Sequence, residues 1–239
     1  MNQPFFYFQH FSVRQRDSAM KIGTDGVLLG AWAQPNPSAR NLLDIGTGTG
    51  LIALMLAQRF SNADIDAIEV DPKAACEAKY NFLKSAWAHR FKLYPCAFND
   101  FVSILPKQYD HIVCNPPFYI NGYPIKDKSR ERARSNSHLS YLSLFRGSAK
   151  LLNARGKFSL IVPIEHQNKV AEQAQLHGFY LHRETKVRGN RQAAFKRLLL
   201  EYARFEGGAL CNQLTLETNR NCRTVEHQQL VNSFYLPKD

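Results

Sequence analysis

The chain has 239 residues, with 31 Lys and Arg against 20 Asp and Glu, a formal charge of +11 at neutral pH. A hydrophobic content of 44% and an aromatic content of 12% suffice for a core and exclude global disorder. No run approaches the ~18 apolar residues of a membrane span, and the start, MNQPFFYFQHF, lacks the basic flank and cleavage site of a secretory signal.

The length allows one or two domains, and the chain is read as one domain over 1–239, with an N-terminal extension at 1–33, a core at 41–205 and a tail at 206–239. Phe8–Val13 alternates like a strand, and the stretch from Met20 to Trp32 reads as the end of a hairpin followed by a helix. Gln34–Arg40 is a Pro/Asn/Ser loop. Beyond it, short apolar runs alternate with helical patterns. Strands are predicted at Asn41–Ile45, Ile65–Glu69, Phe91–Tyr94, His111–Cys114 and Lys157–Val162. Helices are predicted at Leu51–Phe60, from Pro72, at Ser137–Leu152 and at Glu165–His177. Tyr180–Val187 and Phe195–Ala203 read as a hairpin around a basic loop, and Leu230, Val231 and Phe234 have the spacing of a docking helix. The pattern is α/β: a mostly parallel, seven-stranded sheet with helices on both faces and an antiparallel C-terminal hairpin at its edge. In such sheets ligands lie at the carboxyl ends of the strands.

Five cysteines (Cys76, Cys96, Cys114, Cys211 and Cys222) are scattered without a CxxC pair. This argues for free thiols in a reducing cytosol and against a metal site.

The first strand runs into Leu42-Leu43-Asp44-Ile45-Gly46-Thr47-Gly48-Thr49-Gly50, and a helix follows. Glycines are needed where the backbone takes left-handed angles or where a ligand lies against it. The dinucleotide fingerprint is G-x-G-x-x-G, but position 51 is Leu, so the spacing here is G-x-G-x-G. Asp44 at the strand end would repel a pyrophosphate but could receive an ammonium. Nineteen residues after Gly50, Glu69 ends the second strand, placed to accept from ribose hydroxyls. A ligand with ribose and ammonium but no phosphate fits better than NAD, and S-adenosylmethionine (SAM) is such a ligand. Asp71, before Pro72, is better placed as a helix N-cap.

Together these residues resemble the class I SAM-dependent methyltransferases. The resemblance implies a Rossmann-like fold and cofactor roles for Asp44, Gly46, Gly48, Gly50 and Glu69. That family often places an acid after the third strand to hold the adenine. Here the position is Ala97, beside Phe98, which could pack on the adenine instead, and Asp100 is the nearest acid.

Asn115-Pro116-Pro117-Phe118 follows the fourth strand, so it is both the catalytic candidate and, through Asn115, a neighbour of the cofactor. Two prolines fix two φ angles and stiffen the loop. The Asn115 amide oxygen and the Pro116 carbonyl can hold the two N–H bonds of a delocalised NH2 group, aiming its lone pair at a methyl donor. Phe118 offers a face for a planar target. The tetrapeptide matches the (N/D/S)PP(Y/F/W) motif of amino-group methyltransferases, which act on adenine, cytosine or a release-factor glutamine.

The N-terminal pattern F-x-x-F-x-V followed by MKIGTDGVLLGAW, with the glycine loop, NPPF and the ending Phe234-Tyr235-Leu236, resembles the bacterial tRNA(1)(Val) adenine-N6-methyltransferases along nearly the whole chain. The resemblance implies a cytoplasmic enzyme that methylates the adenosine 3′ of the anticodon, with Thr24 and Asp25 near the methionine end of the cofactor. The alternatives are the same chemistry on rRNA, DNA or a release-factor glutamine, and a non-catalytic RNA-binding protein.

Charge supports a polyanion. Residues 1–120 carry 11 basic and 10 acidic side chains, a net of +1, whereas 121–239 carry 20 and 10, a net of +10. Two clusters are the RNA-binding candidates: Lys126, Lys128, Arg130, Arg132 and Arg134 after NPPF, and Lys186, Arg188, Arg191, Lys196 and Arg197 on the hairpin. The expected partner is tRNA, with no membrane and no metal, and the chain is expected to be a monomer.

Overall fold

The computed structural model describes residues 4–16, 18, 21–104, 107–117 and 139–237. Two short strands begin it, β1 (Phe5–Tyr7) and β2 (Ser12–Arg14), paired antiparallel with Phe6 opposite Val13. The strand expected through Phe8–Val13 is interrupted by their turn. There the Phe8 N–H donates to the Phe11 carbonyl at 2.9 Å, and the two rings stack at 4.7 Å.

Helix α1 (Thr24–Trp32) follows, then β3 (Asn41–Ile45), α2 (Leu51–Arg59), β4 (Asp64–Ile68) and α3 (Pro72–Lys84). Asp71 caps α3 by accepting from the Lys73 and Ala74 N–H groups, and Pro72 takes the first helical position. Next come β5 (Phe91–Tyr94), α4 (Phe98–Ile104), β6 (Tyr109–Cys114), α5 (Tyr141–Leu151) and β7 (Leu152–Pro163). Helix α4 carries no sequence signal of its own. It is one short element, anchored by the buried Phe98 and Phe101, three residues apart.

After a 3-10 turn at Ile164–His166 come α6 (Gln167–Leu176), β8 (Tyr180–Arg188) and β9 (Arg197–Ala203). The tail forms β10 (Leu210–Thr215), a small ribbon of β11 (Glu217–Asn219) with β12 (Cys222–Arg223), and α7 (Val225–Val231).

The main sheet has the order β10-β8-β9-β7-β6-β3-β4-β5. Its neighbours pair in parallel, except that β9 runs antiparallel to both β7 and β8. Two expectations are corrected here: the described sheet has eight strands rather than seven, and its antiparallel strand is internal rather than at the edge. Strand β9 is interior because Leu198, Leu199 and Leu200 are buried in succession, so both faces need cover. The edge goes to β10, whose side chains are exposed from Leu210 to Gln213. With no apolar run it gives no strand signal, and pairing with β8 alone creates it.

Two hydrophobic layers flank the sheet. One holds Leu42 and Val113 with α1, α2 and Phe82 of α3, closed by Val231 and Phe234 of the tail. The other holds Leu43, Ile45, Ile112 and Cys114 with α4, α5 and α6. Alternation along β3 therefore puts Asp44 on the α2 side, with Leu42. The 9%-exposed Arg90 closes the amino edge of the sheet: its guanidinium donates to the Ala57, Phe60 and Ala63 carbonyls and caps the end of α2.

Candidate active site

Sheet register sets the geometry. Ile45 of β3 pairs with Ile68 of β4 on one side and Cys114 of β6 on the other. The next residues along these three strands are Gly46, Glu69 and Asn115. Strands lie about 4.8 Å apart, so the three candidates leave the carboxyl edge in one row roughly 10 Å wide. Sequence distances of 23 and 46 residues are thus brought to neighbouring strand ends.

The loop between β3 and α2 is held in a conformation only glycine takes easily. Gly46, Gly48 and Gly50 have φ of +70°, +58° and +87°. A Cβ on Gly50 would lie 2.6 Å from the Phe82 ring, so that glycine also serves close packing. A Cβ on Gly46 or Gly48 would meet nothing within 4 Å; their bare backbone borders open space. The Gly46 and Thr47 N–H groups donate to the Ile68 carbonyl at 2.9 Å each, tying the loop to the end of β4.

Glu69 is 8% exposed and accepts from two backbone N–H groups, Gly48 at Oε2 and Asp71 at Oε1, both at 2.8 Å. The carboxylate therefore shapes the glycine loop as well as facing its mouth. Asp44 is fully buried. Its Oδ2 accepts from the Thr47 hydroxyl at 2.6 Å and the Ala53 N–H at 3.2 Å, while Oδ1 has no hydrogen-bond partner among the described residues. Burial pushes its pKa up to about 7, against the pull of those two donors and with the Glu69 charge adding to the rise. Such a carboxyl gains most from a cation placed beside it.

The Asn115 Oδ1 atom is also buried and without a partner among the described residues. Buried acceptors are nearly always satisfied, so this atom is free to take a donor so far as the described residues go. Pro116 is buried behind it, and Pro117 is exposed. Phe118, the fourth residue of the motif, lies outside the described residues, as do Lys126, Lys128, Arg130, Arg132 and Arg134.

The remaining candidates divide. Ala97 is half-buried and precedes α4. The Phe98 ring, expected against an adenine, is only 6% exposed and packs on α5, where a Cβ on Gly147 would come within 2.4 Å of it. Val70, one residue past Glu69, leaves an apolar side chain 47% exposed at the end of β4. Thr24 is exposed at the start of α1. Asp25 is joined to Arg197 of β9, Nε to Oδ2, at 2.8 Å. A cofactor candidate and an RNA candidate are thereby linked as an ion pair. Lys186 lies 3.7 Å from Glu184, Arg188 donates to the Thr215 hydroxyl and stacks on Phe195, and Arg191 and Lys196 are exposed.

The glycine loop thus stands between an acid at the end of β4 and Asn-Pro-Pro at the end of β6. Residues 11–185 match the family model of the methyltransferase small domain. The chain belongs to this family.

Relatives and folds agree. The tRNA1(Val) (adenine(37)-N6)-methyltransferase of Christiangramia forsetii is 41% identical over 237 residues, 98% of each chain. Its namesake in Flavobacterium psychrophilum is 41% identical over 231 residues, covering 97% of this chain and 99% of that one. The one in Trichodesmium erythraeum is 40% identical over 233 residues, 97% of each. They bear out the resemblance carried by the N-terminal pattern and NPPF. Among solved structures, a predicted O-methyltransferase from Agrobacterium tumefaciens superposes with a TM-score of 0.67 at 16% identity, over 88% of this chain and 96% of that one. A precorrin-6y C5,15-methyltransferase from Geobacter metallireducens gives 0.55 at 16%, over 79% and 92%. These two show the class I fold.

As a methyltransferase of this family the protein uses SAM as methyl donor, and the residues fit it. The bare Gly46 and Gly48 backbone leaves room for a cofactor, and Glu69 would offer its carboxylate to a ribose there. Asp44 holds a buried carboxyl beside them, one oxygen of which has no partner among the described residues.

Proposed function

We propose that the protein transfers a methyl group from SAM to the exocyclic N6 of an adenine in tRNA, the adenosine 3′ of the anticodon of tRNA1(Val). The carrying observation is the buried Asn115 Oδ1, without a partner among the described residues and level with Gly46 and Glu69. SAM, when bound, supplies a methyl on a positively charged sulfur. An adenine amine is a poor nucleophile because its lone pair is shared with the ring. Asn115 Oδ1 and the Pro116 carbonyl take its two N–H bonds, turn the lone pair toward the methyl and favour a tetrahedral nitrogen as attack develops. Because Pro116 and Pro117 fix the backbone beforehand, most of the gain is orientation and preorganised charge. A base in a folded RNA must be extruded or taken from a loop to reach this row. Phe118 is the residue assigned to stack on it, an interaction worth about 1–3 kcal/mol.

The names of the relatives support tRNA as the substrate, and so does the net +10 of residues 121–239. The two basic clusters are assigned to the RNA backbone, and the enzyme is assigned to the cytoplasm as a monomer. The test is incubation with tritiated SAM and total tRNA, total rRNA, DNA and a release factor, followed by mapping of the label. Label at an adenine beside the anticodon is expected. Label confined to another class of acceptor overturns the assignment.

A further inference from the structure

On the far side of α1 from the glycine loop, the fold leaves a cavity of about 320 Å³ between α1, the β8–β9 turn and the tail. Its apolar floor is Val27 and Leu28 of α1 with Leu216. Its polar wall comes from the tail: Glu217, Arg223 and His227, with the Tyr235 ring. The Arg223 guanidinium lies over that ring at 4.2 Å, half-exposed and without a hydrogen bond or ion pair among the described residues. The His227 Nδ1 contacts the Leu216 carbonyl at 2.9 Å, so this nitrogen carries the proton and Nε2 keeps its lone pair. Burial lowers the pKa of the ring.

This donor set suits one ligand chemistry. A guanidinium with unused donors, prealigned on an aromatic face, takes a phosphate. An apolar floor takes a flat base, and the Glu217 carboxylate with His227 Nε2 accepts from base or sugar N–H and O–H groups. The volume lies within the range of small-ligand sites.

Position identifies the source. The ends of β8 and β10 lie on the same sheet edge as Asn115, since both strands run parallel to β7 and β6. With β7 and β9 between β6 and β8, steps of about 4.8 Å put the cavity roughly 14 Å from the catalytic row, a few nucleotides away along a strand. Gly189 at its rim belongs to the turn that carries the exposed Arg191 and Lys196. The wall it shares with the cofactor side, α1, is fixed to β9 through Asp25 and Arg197.

We propose that this cavity is a subsite for a second nucleotide of the RNA substrate, one near the methylated adenine, with Arg223 on its phosphate and Tyr235 and the α1 floor beside its base. The inference rests on the function proposed above and deepens it: the enzyme reads its RNA at two nucleotides rather than one.

Arg223→Gln tests it, with folding checked by thermal melting and with tritiated methyl transfer to an anticodon stem-loop of tRNA1(Val) as the assay. The expected result is a KM for RNA raised about tenfold or more with kcat kept, and a salt dependence of binding shallower by about one unit. A scan of single abasic sites through the loop adds an independent reading. One position beside the target should weaken binding to the wild type and cost Tyr235→Ala less, since the ring beside that base is gone. Labelled RNA with unchanged KM and salt slope in Arg223→Gln overturns the subsite alone. Wild-type enzyme that labels no RNA overturns the parent function and the subsite with it. The other source of the same chemistry is a free nucleotide. Tight, Arg223-dependent binding of AMP by calorimetry, with the RNA KM unaltered, reassigns the cavity and overturns the proposal.

Discussion

The Asn81 side-chain amide donates to the Thr49 carbonyl at 2.8 Å, binding α3 to the glycine loop. The same amide donates to the Arg14 carbonyl at 3.0 Å, and its oxygen accepts from the Arg14 N–H at 2.8 Å. One side chain, 2% exposed, thus ties the N-terminal hairpin, α3 and the cofactor loop together. Asn81→Leu keeps the volume and orphans three backbone groups, so unfolding stability should fall by about 2–3 kcal/mol. The SAM Kd should rise as the loop loosens. Denaturant titration and calorimetry on one preparation measure both, and loss of stability with an unchanged Kd limits Asn81 to folding.

Asp44 predicts a pH dependence. With a pKa of about 7, the carboxyl of the free enzyme is about nine-tenths protonated at pH 6, and a cationic cofactor binds the ionised form. SAM affinity should rise about tenfold from pH 6 to pH 8 and level off, with proton release at pH 6. Calorimetry in buffers of different ionisation enthalpy reads this directly; a flat Kd would remove Asp44 from the cofactor contact. The apoprotein runs the other way. The folded pKa lies above the ordinary 3.8, so the free enzyme loses stability as pH rises from about 4 to 7. Asp44→Asn should raise Tm at pH 8 while weakening SAM binding.

Asn115→Ala removes an oxygen that no described group uses. Stability should stay within about 0.5 kcal/mol of wild type, as for changes that break no internal contact. SAM binding should survive, and turnover should fall by a factor of about 10²–10³, the usual loss for one preorganised polar group. Near-normal turnover would exclude Asn115 from positioning the amine.

His111, buried on β6, shares a hydrogen bond of 2.9 Å with the Ser159 hydroxyl, and its Nδ1 has no partner among the described residues. Burial, aided by the positive Lys157, Arg183 and Arg59, lowers its pKa to about 3. The unfolded chain binds this proton below about pH 6.5 and the folded one does not. Stability should therefore fall by about 1.4 kcal/mol per pH unit on acidification below 6.5, once the other titrating groups are accounted for. His111→Gln should flatten that slope. An identical acid slope in the variant would show another group responsible.

On the hairpin, Arg191 and Lys196 are exposed, whereas Arg197 is paired with Asp25. Arg191→Ala with Lys196→Ala should weaken tRNA binding evenly across sequences and reduce the salt slope by about two units. Arg197→Ala should chiefly lower Tm by freeing the start of α1. Equal effects of the two changes on the salt slope would place Arg197 on the RNA.

What the sequence determined by itself was the set of features with local causes. Glycines at positive φ, an aspartate followed by proline at a helix start, and prolines that fix their own backbone depend on neighbours a few residues away. For this reason the glycine loop, the Asp71 cap and the NPPF motif are legible in the order of the residues alone, and with them the reaction. The tertiary structure decided everything that rests on long-range pairing. Register across β4, β3 and β6 set Glu69, Gly46 and Asn115 in one row, and insertion of β9 between β7 and β8 left the edge to the apolar-poor β10. Asn81 bridged the loop to Arg14, and Asp25 met Arg197 from 172 residues away. Such contacts leave no trace in periodicity because a polar side chain's partner is chosen by packing. The +11 charge shows the same division: sequence located the excess in the second half, and the fold decided which of those cations were already paired.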